Sequence, residues 1–226
     1  MYTAIIPARI GSKRISNKNI KKFLNKPIIY YSIKAALKTK IFKRIVVSTD
    51  SKKIQLISKK AGAICPFLRP KHLSGDKIGT APVIDHFIKK LDIKDKYICC
   101  IYPTAPMIKF QDIKNALKLI KKFKSDSCYS ITKFDFPIQR ALSLKKNKKV
   151  KFIQSLNKNK RSQDLKAIYH DAAQFYWLET KAFKKNKTLY PSKSVGFELP
   201  NFRVQDIDNM DDWKIATAKF KAIKKQ

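Results

Sequence analysis

No stretch of this sequence is apolar for long enough to cross a membrane, and Met1 leads directly into a β-like run with no signal-type apolar segment. Both absences point to a soluble, intracellular protein. The four cysteines, Cys65, Cys99, Cys100 and Cys128, form no CxxC pair and no cluster with histidine, which argues against a zinc site or a disulfide framework. They read as small buried hydrophobes. Acidic residues are scarce, 16 against 51 lysines and arginines, and the net charge of +35 raises a nucleic-acid-binding reading. No basic arm, low-complexity tail or recognised nucleic-acid module gathers the lysines, so they are read as a solvated surface. The three histidines, His72, His86 and His170, stand apart in sequence, and no nucleophile paired with a base is visible.

The best-known phosphate loops are missing as well, since neither GxxxxGK[ST] nor GxGxxG occurs near the start. What stands there is YTAIIPARIGSKRISNKN, Tyr2 to Asn19. Ala4, Ile5 and Ile6 suit a buried parallel strand, which Pro7 ends by removing an N–H donor. The following loop carries Arg9, Lys13, Arg14 and Lys18, with Gly11 and Ser12 leaving the backbone slim enough for its N–H groups to face an anion. A strand feeding such a loop is a way to hold phosphates. A solvated turn in a lysine-rich chain is the other reading. Arginine is the rarer cation, at positions 9, 14, 44, 69, 140, 161 and 203, and marks places where a planar fork is useful.

At 226 residues the chain suits one α/β domain spanning 1–226, with a small excursion. Helices are expected at 27–37, 51–61 (capped by Ser51 and stopped by Gly62), 81–91, 111–123 and 211–223. Strands are expected at 44–48, 63–68, 97–102, 128–132, 172–178 and 202–206, in addition to the first. The alternation implies a mostly parallel, doubly wound nucleotide-binding sheet with helices on both faces. Ligands then bind beyond the carboxyl ends of the strands, where the loops at Arg9–Asn19, Asp50, Arg69–Thr80 and Pro103–Pro106 all begin. Residues 135–167 break the rhythm and read as an excursion that covers a substrate or makes a dimer contact.

Asp206 and Asp208 flank Ile207 at the end of an expected strand, so both carboxylates share a face while Ile207 turns inward. Two such oxygens suit Mg²⁺, which keeps waters and accepts its remaining ligands from a phosphate. Helix capping by Asp208 is the alternative. Cations on one side and a carboxylate pair on the other describe a nucleotide site, where positioning and charge neutralisation suffice for transfer.

IIPARIGSKRISNKN, RIVVSTD, FLRP, YPTAP and VQDID, in that order, resemble the acylneuraminate cytidylyltransferase (CMP-sialic acid synthetase) family, whose fold is like that of the nucleotide-diphospho-sugar transferases. YPTAP, FPIQRAL, RSQDL and DAAQFYW are most similar to its pseudaminic acid branch. The resemblance implies that Arg9, Lys13 and Lys18 meet the CTP phosphates with backbone help from Gly11 and Ser12. It places Asn19, Arg69 and Thr80 around cytidine, and Mg²⁺ on Asp206 and Asp208. The anomeric hydroxyl of a nonulosonic acid would attack the α-phosphorus of CTP, giving the CMP-sugar and pyrophosphate. N-acetylneuraminic, legionaminic and 3-deoxy-manno-octulosonic acids are alternatives to pseudaminic acid. The sugar is assigned to Gln139, Arg161, Gln163, Gln174 and Tyr176, with Arg161 pairing bidentately with its carboxylate. A cytoplasmic homodimer, without nucleic-acid or membrane partners, fits this picture. Ser16 and Ala173 depart from the family's usual proline and glycine, and Ala173 matters if the backbone there takes a positive φ.

Overall fold

The computed structural model describes residues 1–224. Ten strands form in chain order: β1 (Tyr2–Pro7), β2 (Lys22–Phe23), β3 (Lys26–Pro27), β4 (Phe42–Ser48), β5 (Tyr97–Ile101), β6 (Ser127–Lys133), β7 (Leu142–Leu144), β8 (Val150–Phe152), β9 (Tyr169–Glu179) and β10 (Ser194–Glu198). The α-helices are α1 (Ile28–Lys38), α2 (Lys52–Ala61), α3 (Thr80–Lys90), α4 (Phe110–Lys122), α5 (Thr180–Asn186) and α6 (Met210–Lys224). Six strands make one sheet in the order β10-β6-β9-β5-β1-β4. All its pairings are parallel except the two made by β9, which runs against both β5 and β6.

Each face of the sheet is covered by helices whose apolar residues recur at helical spacing. Ile29 and Ile33 of α1, Ile54 of α2 and Ile113, Ala116 and Ile120 of α4 pack on one face with Ala4, Ile6, Val47 and Trp177. The other face carries Ile84, Phe87 and Ile88 of α3 and Phe183 of α5 against Ile5, Ile98, Cys100 and Tyr176. All four cysteines are free and buried within this packing. Ser51 caps α2 by accepting from Ile54 N, and Gly62 ends it at φ 101°, as the sequence leads one to expect.

A third, smaller core decides the geometry of the site. Ile15 from the basic loop, Phe23, Ile28, Met107, Ile207 and α6 residues Trp213, Ala216 and Phe220 pack together. Ile15 and Ile207 are almost wholly buried there, so the loop and the segment between its two aspartates are drawn to one place by their apolar members.

Two expected strands are corrected. Residues 63–68 make only a single parallel bridge, Ile64 to Val46, because Pro66 has no N–H to extend the ladder. Residues 202–206 form no strand; a 3₁₀ turn at Asn201–Arg203 leads into unpaired extended chain, and the sheet edge is built by β10 instead. Pro200 starts that turn, and Arg203 is turned inward to make a buried, two-pronged ion pair with Asp112 of α4. The excursion at 135–167 contains the β7-β8 hairpin and several 3₁₀ turns, with Phe136, Leu144, Val150, Ile153 and Leu156 exposed.

Candidate active site

The carboxyl ends of β1, β4 and β5 point the same way, so the loops after them meet at one edge. Because β9 is antiparallel, its beginning lies at that same edge. The cleft formed there is lined by Arg9, Lys18, Asn19, Arg69, Thr80 and Tyr102 among others and holds about 220 Å³.

The backbone of the basic loop is held by side chains. Asp50 Oδ1 accepts from Ile10 N at 2.9 Å, and Asn19 Nδ2 donates to the Arg9 carbonyl at 2.8 Å. Asn19 therefore shapes the loop as well as lining the cleft. Asp76, in the connection before α3, bridges Arg9 and Lys13, with Lys13 Nζ 2.6 Å from Oδ2. The Lys13 and Arg9 hydrogen bonds hold the Asp76 carboxyl below the usual carboxylate range. Gly11 and Ser12 line the shallow hollow beside this bridge.

On the other side of the loop, Arg14 Nη2 donates to Asp208 Oδ1 at 2.7 Å, and Lys18 Nζ lies 3.5 Å from the same oxygen. Lys18 also donates to the Ile207 carbonyl. Asp206 and Asp208 keep the expected alternation around buried Ile207 although no strand is present. Asn209 Oδ1 caps α6 by accepting from Asp211 N and Asp212 N, and Asp212 Oδ2 accepts in return from Asp208 N and Asn209 N at 2.9 and 3.0 Å, so the Asp208 carboxylate takes no part in the capping. The Asp206 side chain is open to water on one side, yet the protein behind it removes enough solvent to raise its carboxyl above the ordinary range. Asp208 adds repulsion. A carboxylate pair in that state favours a cation, and a hard divalent ion with oxygen ligands fits the donor set. Among the described residues no cluster of three or more His, Cys, Asp or Glu could hold a metal without ligands from elsewhere.

Arg69 is the most unusual group in the cleft. It is 95% buried, yet its Nε and Nη2 find no partner in the protein. Burial lowers its pKa, and Arg9 adds to the same effect while Asp50 opposes it. A buried guanidinium with free donors costs stability unless a ligand uses them. Beside it Thr80 Oγ1 lies 3.0 Å from the Tyr102 hydroxyl.

The residues assigned to the sugar are placed less uniformly. Gln174 is 1% exposed, and its Oε1 has no partner. Tyr176 is fully buried and donates to Asp171 Oδ2 at 2.6 Å, so it meets a ligand only through that carboxylate. Gln139 donates to the Lys166 carbonyl, and Gln163 lines a second hollow between the excursion and the end of β6. Arg161 is exposed and spends its fork on Asp164, at 2.8 and 3.2 Å. The structure thus lines one cleft with Arg9, Lys18, Asn19, Arg69 and Thr80, sets Asp208 against Arg14 and Lys18 of the same loop, and leaves Arg161 and Gln163 on the excursion. Asp76, Tyr102, Asp171 and Tyr190 stand out as participants that reasoning from sequence passed over. Asp171 lies inside DAAQFYW, which was its available signal.

The sequence matches the family described as Cytidylyltransferase over residues 3–219. The chain belongs to the cytidylyltransferase family. It is 39% identical over 220 residues to a pseudaminic acid cytidylyltransferase of Campylobacter jejuni, covering 96% of this chain and 95% of that one. It is 31% identical to a CMP-N,N'-diacetyllegionaminic acid synthase of Legionella pneumophila, covering 94% and 93%. Among solved structures, CMP:2-keto-3-deoxy-manno-octonic acid synthetase complexed with CTP shares the fold at a TM-score of 0.72, with 14% identity and coverage of 98% and 99%. As a cytidylyltransferase the chain is a CTP-dependent nucleotidyltransferase that forms a CMP-sugar. No described helix is long and apolar enough to cross a membrane.

Proposed function

We propose that this cytidylyltransferase activates pseudaminic acid in the cytoplasm. The anomeric hydroxyl attacks the α-phosphorus of CTP; the sugar O–P bond forms as the bond to the β-phosphate's bridging oxygen breaks, and CMP-pseudaminic acid and pyrophosphate leave. The observation that carries this reading is a cleft lined by Arg9, Lys18 and Arg69, beside which Arg14 and Lys18 of the same loop pair with Asp208. The choice of sugar rests on the likeness to the Campylobacter enzyme.

In this reading Arg9, Lys13 and Lys18 grip the triphosphate, Gly11 and Ser12 offer backbone N–H groups, and Asn19, Arg69 and Thr80 hold the cytidine. The unpartnered donors of Arg69 supply hydrogen bonds that only a ligand completes. Asp206 and Asp208 would hold Mg²⁺, which neutralises charge on the phosphates and the departing pyrophosphate when bound. Gln174 presents its free carbonyl oxygen to the sugar, with Gln139, Gln163, Arg161 and Tyr176 completing or supporting the sugar side. Arg161 must release Asp164 to do so. The exposed apolar residues of the excursion, Leu144, Val150, Ile153 and Leu156, are suited to pairing with a second copy as a homodimer.

Mixing the protein with CTP, Mg²⁺ and each of pseudaminic, legionaminic, N-acetylneuraminic and 3-deoxy-manno-octulosonic acids tests the proposal by pyrophosphate release. The highest kcat/KM is expected with pseudaminic acid. A different preferred acid overturns the choice of sugar, and silence with all four overturns the reaction.

A further inference from the structure

We infer that Asp171 is the group that receives the proton of the attacking sugar hydroxyl, an inference that rests on the cytidylyl-transfer reading. Asp171 sits near the start of β9, which the antiparallel direction of that strand brings to the ligand-binding edge. Opposite it, β6 advances from Tyr129 to Ile131 while β9 advances from Tyr176 back to Asp171, so β9 carries a pronounced bulge. Ser130 Oγ accepts from both Gln174 N and Phe175 N, at 3.2 Å each, and fixes that bulge. Ala173, within it, takes φ 50°, a conformation an alanine adopts only at a cost. Bulges and strained residues of this kind re-aim side chains at functional sites.

What the bulge aims is a carboxylate held from three directions. Tyr176 and Tyr190 donate to Oδ2 at 2.6 and 2.7 Å, and Ala173 N donates to Oδ1 at 2.9 Å. An ionised carboxylate offers about four acceptor positions, so one remains for a ligand hydroxyl. Contacts lead from that carboxylate to the cleft: Tyr176, which donates to it, packs its ring 5.2 Å from that of Tyr102, and Tyr102 lines the cleft with its hydroxyl against Thr80. Asp206 and Asp208 are assigned to a cation, and the loop residues are cationic. Asp76 is taken up by Arg9 and Lys13 and Asp50 by Ile10 N, whereas every donor to Asp171 is neutral, so Asp171 is the carboxylate left to accept a proton. As the sugar oxygen bonds to phosphorus, its O–H pair collapses onto that oxygen and the proton passes to Asp171. Solvent, reached beside the half-exposed Tyr190, then takes the proton away. An acceptor so placed contributes about 10²- to 10⁴-fold.

The test compares the parent with Asp171→Asn and Tyr190→Phe, following pyrophosphate release and CTP binding by calorimetry. The parent must turn over; a silent parent sinks the cytidylyl-transfer reading, and only an active parent tests Asp171. With an active parent, Asp171→Asn is expected to lose at least about 100-fold in kcat, with CTP affinity and sugar KM near the parent's. A kcat near the parent's, or a loss carried by sugar KM, overturns the inference. Tyr190→Phe keeps the proposal testable should the first variant not fold, because Tyr190 is half exposed. Only one of the hydrogen bonds that aim the carboxylate is removed, so Tyr190→Phe is expected to lower kcat while CTP affinity and sugar KM stay near the parent's. A kcat equal to the parent's, or a loss carried by sugar KM, overturns the assignment.

Discussion

Arg14 and Asp208, 194 positions apart, are joined by a 2.7 Å hydrogen bond. Lys18 leans on the same Asp208 oxygen. A cation bound at Asp208 has to displace both or share the carboxylate with them. Asp208→Asn is expected to fold normally, since its side chain is partly exposed and α6 is capped by Asn209 and Asp212, and to lose more than about 100-fold in kcat. Arg14→Ala is expected to do the reverse for the ion, lowering the Mg²⁺ concentration needed for half-maximal rate. Pyrophosphate release titrated with Mg²⁺ checks both, and equal Mg²⁺ dependence in parent and Asp208→Asn would remove the metal assignment.

Asp76 occupies Arg9 and Lys13, the cations proposed to hold phosphate. Because those cations hold its carboxyl below the usual range, it stays ionised throughout the neutral and mildly acidic range and competes with CTP there. Asp76→Asn is expected to lower KM for CTP several-fold, more so at low salt, where surface charges are least screened. Thermal stability should barely change, because exposed ion pairs contribute little. An unchanged KM at 20 and 200 mM salt, chosen as roughly two Debye-length regimes, would show that the bridge is no competitor.

Arg69 links ligand affinity to a stability cost. Arg69→Met removes a buried, unpartnered guanidinium, and the free protein is expected to melt at an equal or higher temperature. The same change is expected to weaken CTP binding by at least about 10-fold, the loss of one or more charge-assisted hydrogen bonds. Scanning calorimetry and CTP titration on one preparation measure the two effects together. A variant that melts lower and still binds CTP would contradict both.

Ala173 adopts the left-handed backbone that glycine tolerates without penalty. Ala173→Gly is expected to raise unfolding free energy by roughly 0.5–1 kcal/mol, the relief of about 1–2 kcal/mol of strain less glycine's larger entropy loss. Urea unfolding measures it. A loss of stability would mean that the Ala173 methyl packs better than its backbone strains.

Much of this arrangement is legible before folding. Alternation around Ile207, the cap at Ser51 and the stop at Gly62 are local patterns, and local patterns survive. The strand expected at 202–206 shows the limit: Phe202 and Val204 alternate as strand residues do, but Arg203 between them is claimed by Asp112, far away in sequence. β10 is not legible in advance, because Gly196 interrupts the short pair Val195 and Phe197 and the residues on either side are polar; only the closeness of Ile131 makes a side chain at 196 unwelcome. Asp171 could be seen as part of a motif but not as a carboxylate with three donors, because the bulge that aims it depends on Ser130 of another strand.

The reversed direction of β9 divides that strand into two territories. Its first residues, through Gln174, lie at the edge proposed to take the substrates, whereas Trp177 and Leu178 are sealed in the two apolar layers and Glu179 caps α5 at the far end. Variation along these eleven residues should therefore sort itself by position: early changes alter what the protein makes and how fast, and late ones decide how much of it survives heating.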